Sequence, residues 1–176
     1  MDSHLKKDDL GPRRERVKIN IFGSSHITKS HKFPQIFKKE LEASPSVSKK
    51  FTIGEIKGFS GGRLFNNDLV MEIVEVAKST AAAPQIIVLL LGSNDWANFQ
   101  MTSQNFEARY ASVIDKFLEI PGAGVLLANL PPRGRAAWKR KDMSEANKII
   151  RVMAQSYQKQ VHEISILYDY TYNHTY

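Results

Sequence analysis

The stretch QIIVLLLGSND, residues 85–95, decides how the rest of the chain reads. A strand with one face in water alternates apolar and polar side chains. The run Ile86 to Leu91 does not alternate, which points to a strand buried on both faces at the centre of a parallel sheet. It then breaks at once into Gly92-Ser93-Asn94-Asp95, a small and polar turn. In open parallel sheets ligands bind outside the carboxyl ends of the strands, so the residues that follow Leu91 stand where chemistry is expected.

Outward from this strand, short β-branched runs alternate with amphipathic stretches. VKINIF from Val17, FTIGEI from Phe51, AGVLLANL from Ala123 and EISILYD from Glu163 read as the other strands. Between them, HKFPQIFKKELEAS from His31 places Phe33, Ile36, Phe37 and Leu41 on one helical face, and NNDLVMEIVEVAKS does the same with Leu69, Ile73, Val76 and Ala77 behind an Asn-Asp start. Further helices are predicted over Ser103 to Leu118 and Met143 to Gln160. Strand and helix in alternation mean an α/β fold, here a three-layer α/β/α sandwich around a five-stranded parallel sheet of flavodoxin-like order. One domain is expected over residues 17–176, behind a polar arm, residues 1–16, that carries KKDD and PRRER without apolar periodicity and reads as disordered or a linker.

With 176 residues and 42% hydrophobic content the chain is long enough to bury a core. The absence of cysteine removes disulfides, thiolate catalysis and Cys-ligated metal, and fits a reducing compartment. The apolar run at Ile86 to Leu91 falls far short of the roughly 20 residues of a membrane span, and the charged N-terminus has no apolar signal core. An intracellular, cytoplasmic protein without a membrane span is therefore expected. The histidines are scattered and no carboxylate pair has ligand spacing, so neither a metal nor another cofactor is expected. A net charge of +7 favours anionic partners.

The segments after the strands are GSSH, KGFSGGRL, GSNDW, NLPPRGR and DYTYNH. Together, Gly23-Ser24-Ser25, Ser60-Gly61 and Gly92-Ser93-Asn94-Asp95, in this order, resemble the signature blocks of the SGNH or GDSL-type hydrolases. The resemblance spans about Val17 to Asp169 and is most specific at the Gly-x-Asn-Asp block. It implies a serine esterase or acyl hydrolase acting on a small ester or acyl substrate. Ser25 is then the nucleophile, and the oxyanion donors are its own N–H, the Gly61 N–H and the Asn94 side-chain amide. A serine hydroxyl needs a base to take its proton, and its attack builds a negative oxygen that needs preorganised donors. The family supplies acid and base from a C-terminal Asp-x-x-His. Here His174 is the candidate base, with Thr171 three residues before it, and Ser24 stands where the family has aspartate.

A second constellation is basic. RGRAAWKRK groups Arg133, Arg135, Lys139, Arg140 and Lys141 around Trp138 on the loop after the fourth strand, and Lys6, Lys7, Arg13, Arg14 and Arg16 extend the same charge. Cations meet phosphates and an indole stacks on a base. This supports an alternative function: a catalytically inactive SGNH-like module that binds RNA or another polyanion, similar to the C-terminal domain of the germ-plasm protein Oskar.

Overall fold

A computed structural model of the chain describes residues 15–24, 27, 32–80, 84–98, 100–131, 143–157 and 161–164. The arm expected over residues 1–16 lies outside them except for Glu15 and Arg16. The elements run β1 (Val17–Ser24), α1 (Lys32–Ala43), α2 (Pro45–Ser48), β2 (Phe51–Phe59), α3 (Asn67–Ser79), β3 (Gln85–Leu90), α4 (Ser93–Trp96), α5 (Ser103–Leu118), β4 (Ala123–Ala128), α6 (Met143–Ser156) and β5 (Val161–Ile164). All strand pairings are parallel and the order is β2-β1-β3-β4-β5, the flavodoxin-like sandwich expected from the alternation.

The two faces of the sheet are packed unequally. Phe22, Ile87, Leu89, Val125 and Leu127 point into one cluster with the buried sides of α3, α5 and α6. On the other face Ile21, Val88 and Ile27 are buried, while Ile19, Ile56, Ile86, Leu90 and Leu126 are half-buried around Phe37 of α1. The continuous apolar run of β3 is thus fully enclosed on one side only. The same imbalance corrects the expected apolar face of α1: Ile36 is 53% exposed. It precedes Phe37 by one residue, about 100° around the helix, so when Phe37 meets the sheet Ile36 turns outward.

Helix α6 is shorter than the pattern predicts, ending at Ser156 where Met143 to Gln160 was expected, and β5 starts at Val161 rather than Glu163. Tyr157 marks the stop. Its hydroxyl donates to Asp115 Oδ1 at 2.7 Å, and burial followed by that carboxylate pushes its pKa up to about 12. The proton stays on the phenol and the end of α6 stays tied to α5.

Two helix starts follow local rules and a third is tied by a tertiary bond. Asn66 Oδ1 accepts from the Leu69 N–H and Thr102 Oγ1 from the Asn105 N–H, each occupying a donor that the first helical turn leaves open. At α6, Ser103 Oγ donates to Glu145 Oε1 at 2.5 Å and joins the first turns of α5 and α6.

Within the sheet one buried polar side chain sets the register. Between Ile19–Ile53 and Ile21–Ile56 the β1–β2 pairing slips by one residue. At the slip the Glu55 N–H donates to Asn20 Oδ1 at 2.8 Å. A Cβ on Gly54 would lie 2.1 Å from that oxygen, so only glycine leaves the room. Asn20 Nδ2 donates onward to Gln85 Oε1 at 2.7 Å and Thr80 Oγ1 at 3.2 Å, and Gln85 Nε2 donates to Ala77 O at 3.0 Å. This chain of bonds anchors the start of β3 to the end of α3. Asn20→Ala takes the acceptor from the part-buried Glu55 N–H and leaves the buried Gln85 amide oxygen with only the longer 3.4 Å bond from Thr80 Oγ1, at about 1–3 kcal/mol in all. The expected result is a lower urea midpoint at unchanged slope, and a midpoint equal to wild type rejects this role for Asn20.

Candidate active site

The carboxyl ends of β1, β2 and β3 lie side by side, with Ser24 paired to Phe59 and Gly23 to Leu90. Ser24 is 1% exposed. Where the family pattern has aspartate, this chain therefore holds a small buried hydroxyl. Gly23 is required by space, because a Cβ there would stand 2.4 Å from Ile27 Cδ1. Ser25 and His174 lie outside the described residues. So do Arg133, Arg135, Trp138, Lys139, Arg140 and Lys141 of the basic loop.

The other two residues expected at the site are described. Gly61 sits in the turn after β2 at φ 68, a left-handed conformation that favours glycine, and a Cβ built on it meets nothing within 4 Å. Glycine is needed there by conformation, and its outer side is open. Among the described residues the Gly61 N–H donates to no acceptor.

The turn after β3 has the opposite constraint. Gly92 has φ 111, and a Cβ there would come 2.9 Å from the Tyr110 ring. The Tyr110 hydroxyl donates to the Leu91 carbonyl, holding the strand end against α5. From Gly92 the chain turns directly into α4, whose Trp96 is 1% exposed and meets Phe106 edge-on at 5.1 Å between ring centroids. With Trp96 seated in the core, the two residues before it face the loop after β2.

Asn94, half-buried, donates through Nδ2 to the Gly62 carbonyl at 3.1 Å. An amide can make this bond only with its nitrogen turned to the carbonyl, which leaves a second amide hydrogen on the same nitrogen. Asp95, 2% exposed, accepts from the Leu64 N–H at 2.9 Å and the Phe65 N–H at 3.1 Å, one on each carboxylate oxygen. Arg109 of α5 completes the hold from the other side. Its Nε donates to the Leu64 carbonyl and its Nη2 to Asn67 Oδ1, both at 2.5 Å, and its guanidinium lies 5.5 Å from the Phe65 ring centre. The loop 61–65 is therefore fixed by three successive side-chain contacts to α4 and α5.

Two clefts open around this loop. One, of about 250 Å³, is lined by Arg63, Phe65, Asn94, Asn98, Gln100 and Asn105 among others. The second, of about 370 Å³, runs along Phe59, Ser60, Gly61, Gly62 and Arg63. Arg63 is the residue common to both. Asn94 lines the first and Gly61 the second.

No protein-family model matches the chain, and no curated protein matches its sequence. Solved structures do match its backbone. An acetyl xylan esterase, AlAXEase, superposes with a TM-score of 0.62 at 20% identity, over 85% of this chain and 77% of the other. AlinE4, an SGNH-hydrolase family esterase, gives a TM-score of 0.62 at 18% identity, over 84% and 75%. The fold is that of the SGNH hydrolases. A carbohydrate esterase family 3 protein from Talaromyces cellulolyticus agrees, with a TM-score of 0.58 at 16% identity over 85% and 78%.

Within this SGNH fold, Arg63, Arg109 and the clamp made by Asp95 are absent from the sequence-based set of site residues. Asp95 had a signal, as the last residue of Gly-x-Asn-Asp behind a buried strand. Arg63 and Arg109 had none, being ordinary surface and helix cations by pattern. No described helix is long and apolar enough to cross a membrane.

Burial pushes the Asp95 carboxyl above the usual aspartate range, against the downward pull of the Leu64 and Phe65 N–H groups and of the Arg63 charge. The folded chain therefore keeps this proton to a higher pH than the unfolded chain. From about pH 4, the ordinary carboxylate value, stability contributed by Asp95 declines as pH rises toward its folded pKa. Asp95→Asn removes this dependence and loses one of two acceptors, at a cost of about 1–3 kcal/mol. Unfolding free energies at a series of pH values are expected to show the gap between wild type and variant narrowing as pH rises. A gap that widens contradicts the assignment.

Proposed function

We propose that the chain is a serine ester or acyl hydrolase, with Ser25 as nucleophile and an oxyanion hole formed by the backbone N–H groups of Ser25 and Gly61 and the Asn94 amide. The observation that carries this reading is the bond from Asn94 Nδ2 to the Gly62 carbonyl. It ties the Asn94 amide to the residue after Gly61, in the loop that follows β2, beside the end of the strand from which Ser25 follows. Such donors need to be rigid before the reaction, because a donor that must be reoriented as charge develops contributes little. The clamp through Asp95 and Arg109 supplies that rigidity.

The chemistry follows from these positions. Ser25 Oγ attacks the ester carbonyl carbon while a base takes its proton, and the carbonyl oxygen becomes the oxyanion held by the three donors. Collapse expels the alcohol, which receives the proton from the base, and leaves an acyl-serine. Water then attacks that ester with the same base assisting, and the acid product leaves. The proposed base is His174. The likeness in fold to esterases supports the reaction class.

The test is hydrolysis of 4-nitrophenyl acetate by wild type and variants prepared in parallel. Ser25→Ala is expected to abolish the rate, and Asn94→Ala to lower kcat on the order of 10²-fold. Hydrolysis unaffected by Ser25→Ala overturns the reading, as does a wild-type protein with no rate above buffer.

Gly61→Ala separates the roles of conformation and space. The left-handed backbone costs an alanine about 1–2 kcal/mol, while its methyl enters the open side where substrate is expected. Activity should fall further than that loss of stability explains. Equal activity at reduced melting temperature argues that substrate does not approach Gly61.

A further inference from the structure

The charge around the two clefts is unbalanced. Arg63 is exposed and lines both, yet its guanidinium makes no hydrogen bond or ion pair among the described residues. The neighbouring Arg109 shows the contrast, since its nitrogens are taken up by the Leu64 carbonyl and Asn67 and its plane by Phe65. The carboxylate that lines either cleft is Asp95. It is 2% exposed, and each of its oxygens already accepts a backbone N–H. The other polar groups on the cleft walls are neutral: Asn94, Asn98, Gln100 and Asn105 on one side, Ser60 and Asn66 on the other.

A single guanidinium thus stands between the Asn94 side and the Gly61 side of the site, with uncharged hydrogen-bonding amides around it and the neighbouring Asp95 carboxyl buried and held by backbone N–H groups. A neutral ester makes no use of it. A substrate with a carboxylate or phosphate group one cleft-width from the reacting carbonyl does, because a guanidinium presents a planar fork of donors matched to such oxyanions. The net charge of +7 adds a field of the same sign and raises the encounter rate with anions.

We infer that the ester taken by this site is anionic, and that Arg63 is the specificity-determining residue that pairs with its carboxylate or phosphate group. The inference rests on the ester-hydrolase reading of the same site. Arg63 acts in binding and takes no part in proton transfer. Because it borders both clefts, the charge is recognised whether it lies on the acyl or the alcohol side. The exposed Phe65 ring, 48% accessible at the cleft wall, offers an apolar surface to the carbon chain between ester and anion.

The test uses two matched pairs of substrates. 4-Acetoxybenzoate against 4-acetoxybenzamide varies the charge on the alcohol side, and mono-4-nitrophenyl adipate against 4-nitrophenyl hexanoate varies it on the acyl side. Wild type is expected to favour the charged member of at least one pair by about tenfold in kcat/KM, the scale of one charge-assisted contact. Arg63→Gln should bring that ratio near one, Arg63→Lys should retain part of it, and added salt should erode it in wild type. No charge preference in either pair overturns the inference, and so does a preference that survives Arg63→Gln.

Binding of the charged products, adipate and 4-hydroxybenzoate, separates this inference from the reading beneath it. Should Ser25→Ala hydrolyse every ester as fast as wild type, the ester-hydrolase reading falls. A Kd for these anions raised about tenfold by Arg63→Gln then still upholds anion recognition at Arg63, and a Kd indifferent to the substitution refutes it.

Discussion

The site depends on one buried carboxylate. Asp95 is withdrawn from water, and a buried carboxylate is tolerated only where its oxygens are satisfied. It finds its partners in the Leu64 and Phe65 N–H groups, and these belong to a loop with no regular structure of its own. The requirement works in both directions. The loop gives the carboxylate its hydrogen bonds, and the carboxylate gives the loop a single position. Arg109 takes the Leu64 carbonyl on the far side, so both backbone groups of Leu64 are engaged by side chains from other elements. With the loop held there, the Gly62 carbonyl reaches Asn94 and Gly61 takes its left-handed conformation.

The sheet transmits order to this end from the opposite direction. Asn20, Gln85 and Thr80 form a buried polar chain that fixes the slip between β1 and β2 and the start of β3. Because the residues that follow these strands form the site, a slip of one residue would move every side chain to the other face and displace the ends by a full residue. Asn20 thus acts on register, and Asp95 acts on the loops that register brings together. The dense packing of α3, α5 and α6 on one face serves as the platform for both, since Tyr110 and Phe106 of α5 support Gly92 and Trp96.

Electrostatically the site has two separate parts. The carboxylate that maintains it is hidden beneath the loop, and the cation, Arg63, lies at the surface where the clefts meet. The Arg63 charge acts on Asp95 without a direct ion pair, and the guanidinium itself stays exposed at the cleft walls.

Much of this was legible in the sequence. The unbroken apolar run before Gly92 required an interior strand, and alternation with helical spacing required the α/β layers. The small residues after β1, β2 and β3 marked the end of the sheet at which to look. Those are local constraints, set by what neighbouring residues do to one strand or turn. Gly61 and Asn94 were singled out by the resemblance of their blocks to the hydrolase signature, and the structure describes the turns in which they lie. Tertiary structure decided the rest. Ile36 turned outward because Phe37, about 100° around α1, meets the sheet, and Tyr157 at the end of α6 bonds Asp115 across 42 residues. Arg63 and Arg109 are indistinguishable as letters. One is consumed by Leu64 and Asn67 and the other is left open, a difference made entirely by which carbonyls and carboxylates the fold brings within about 3 Å of each guanidinium.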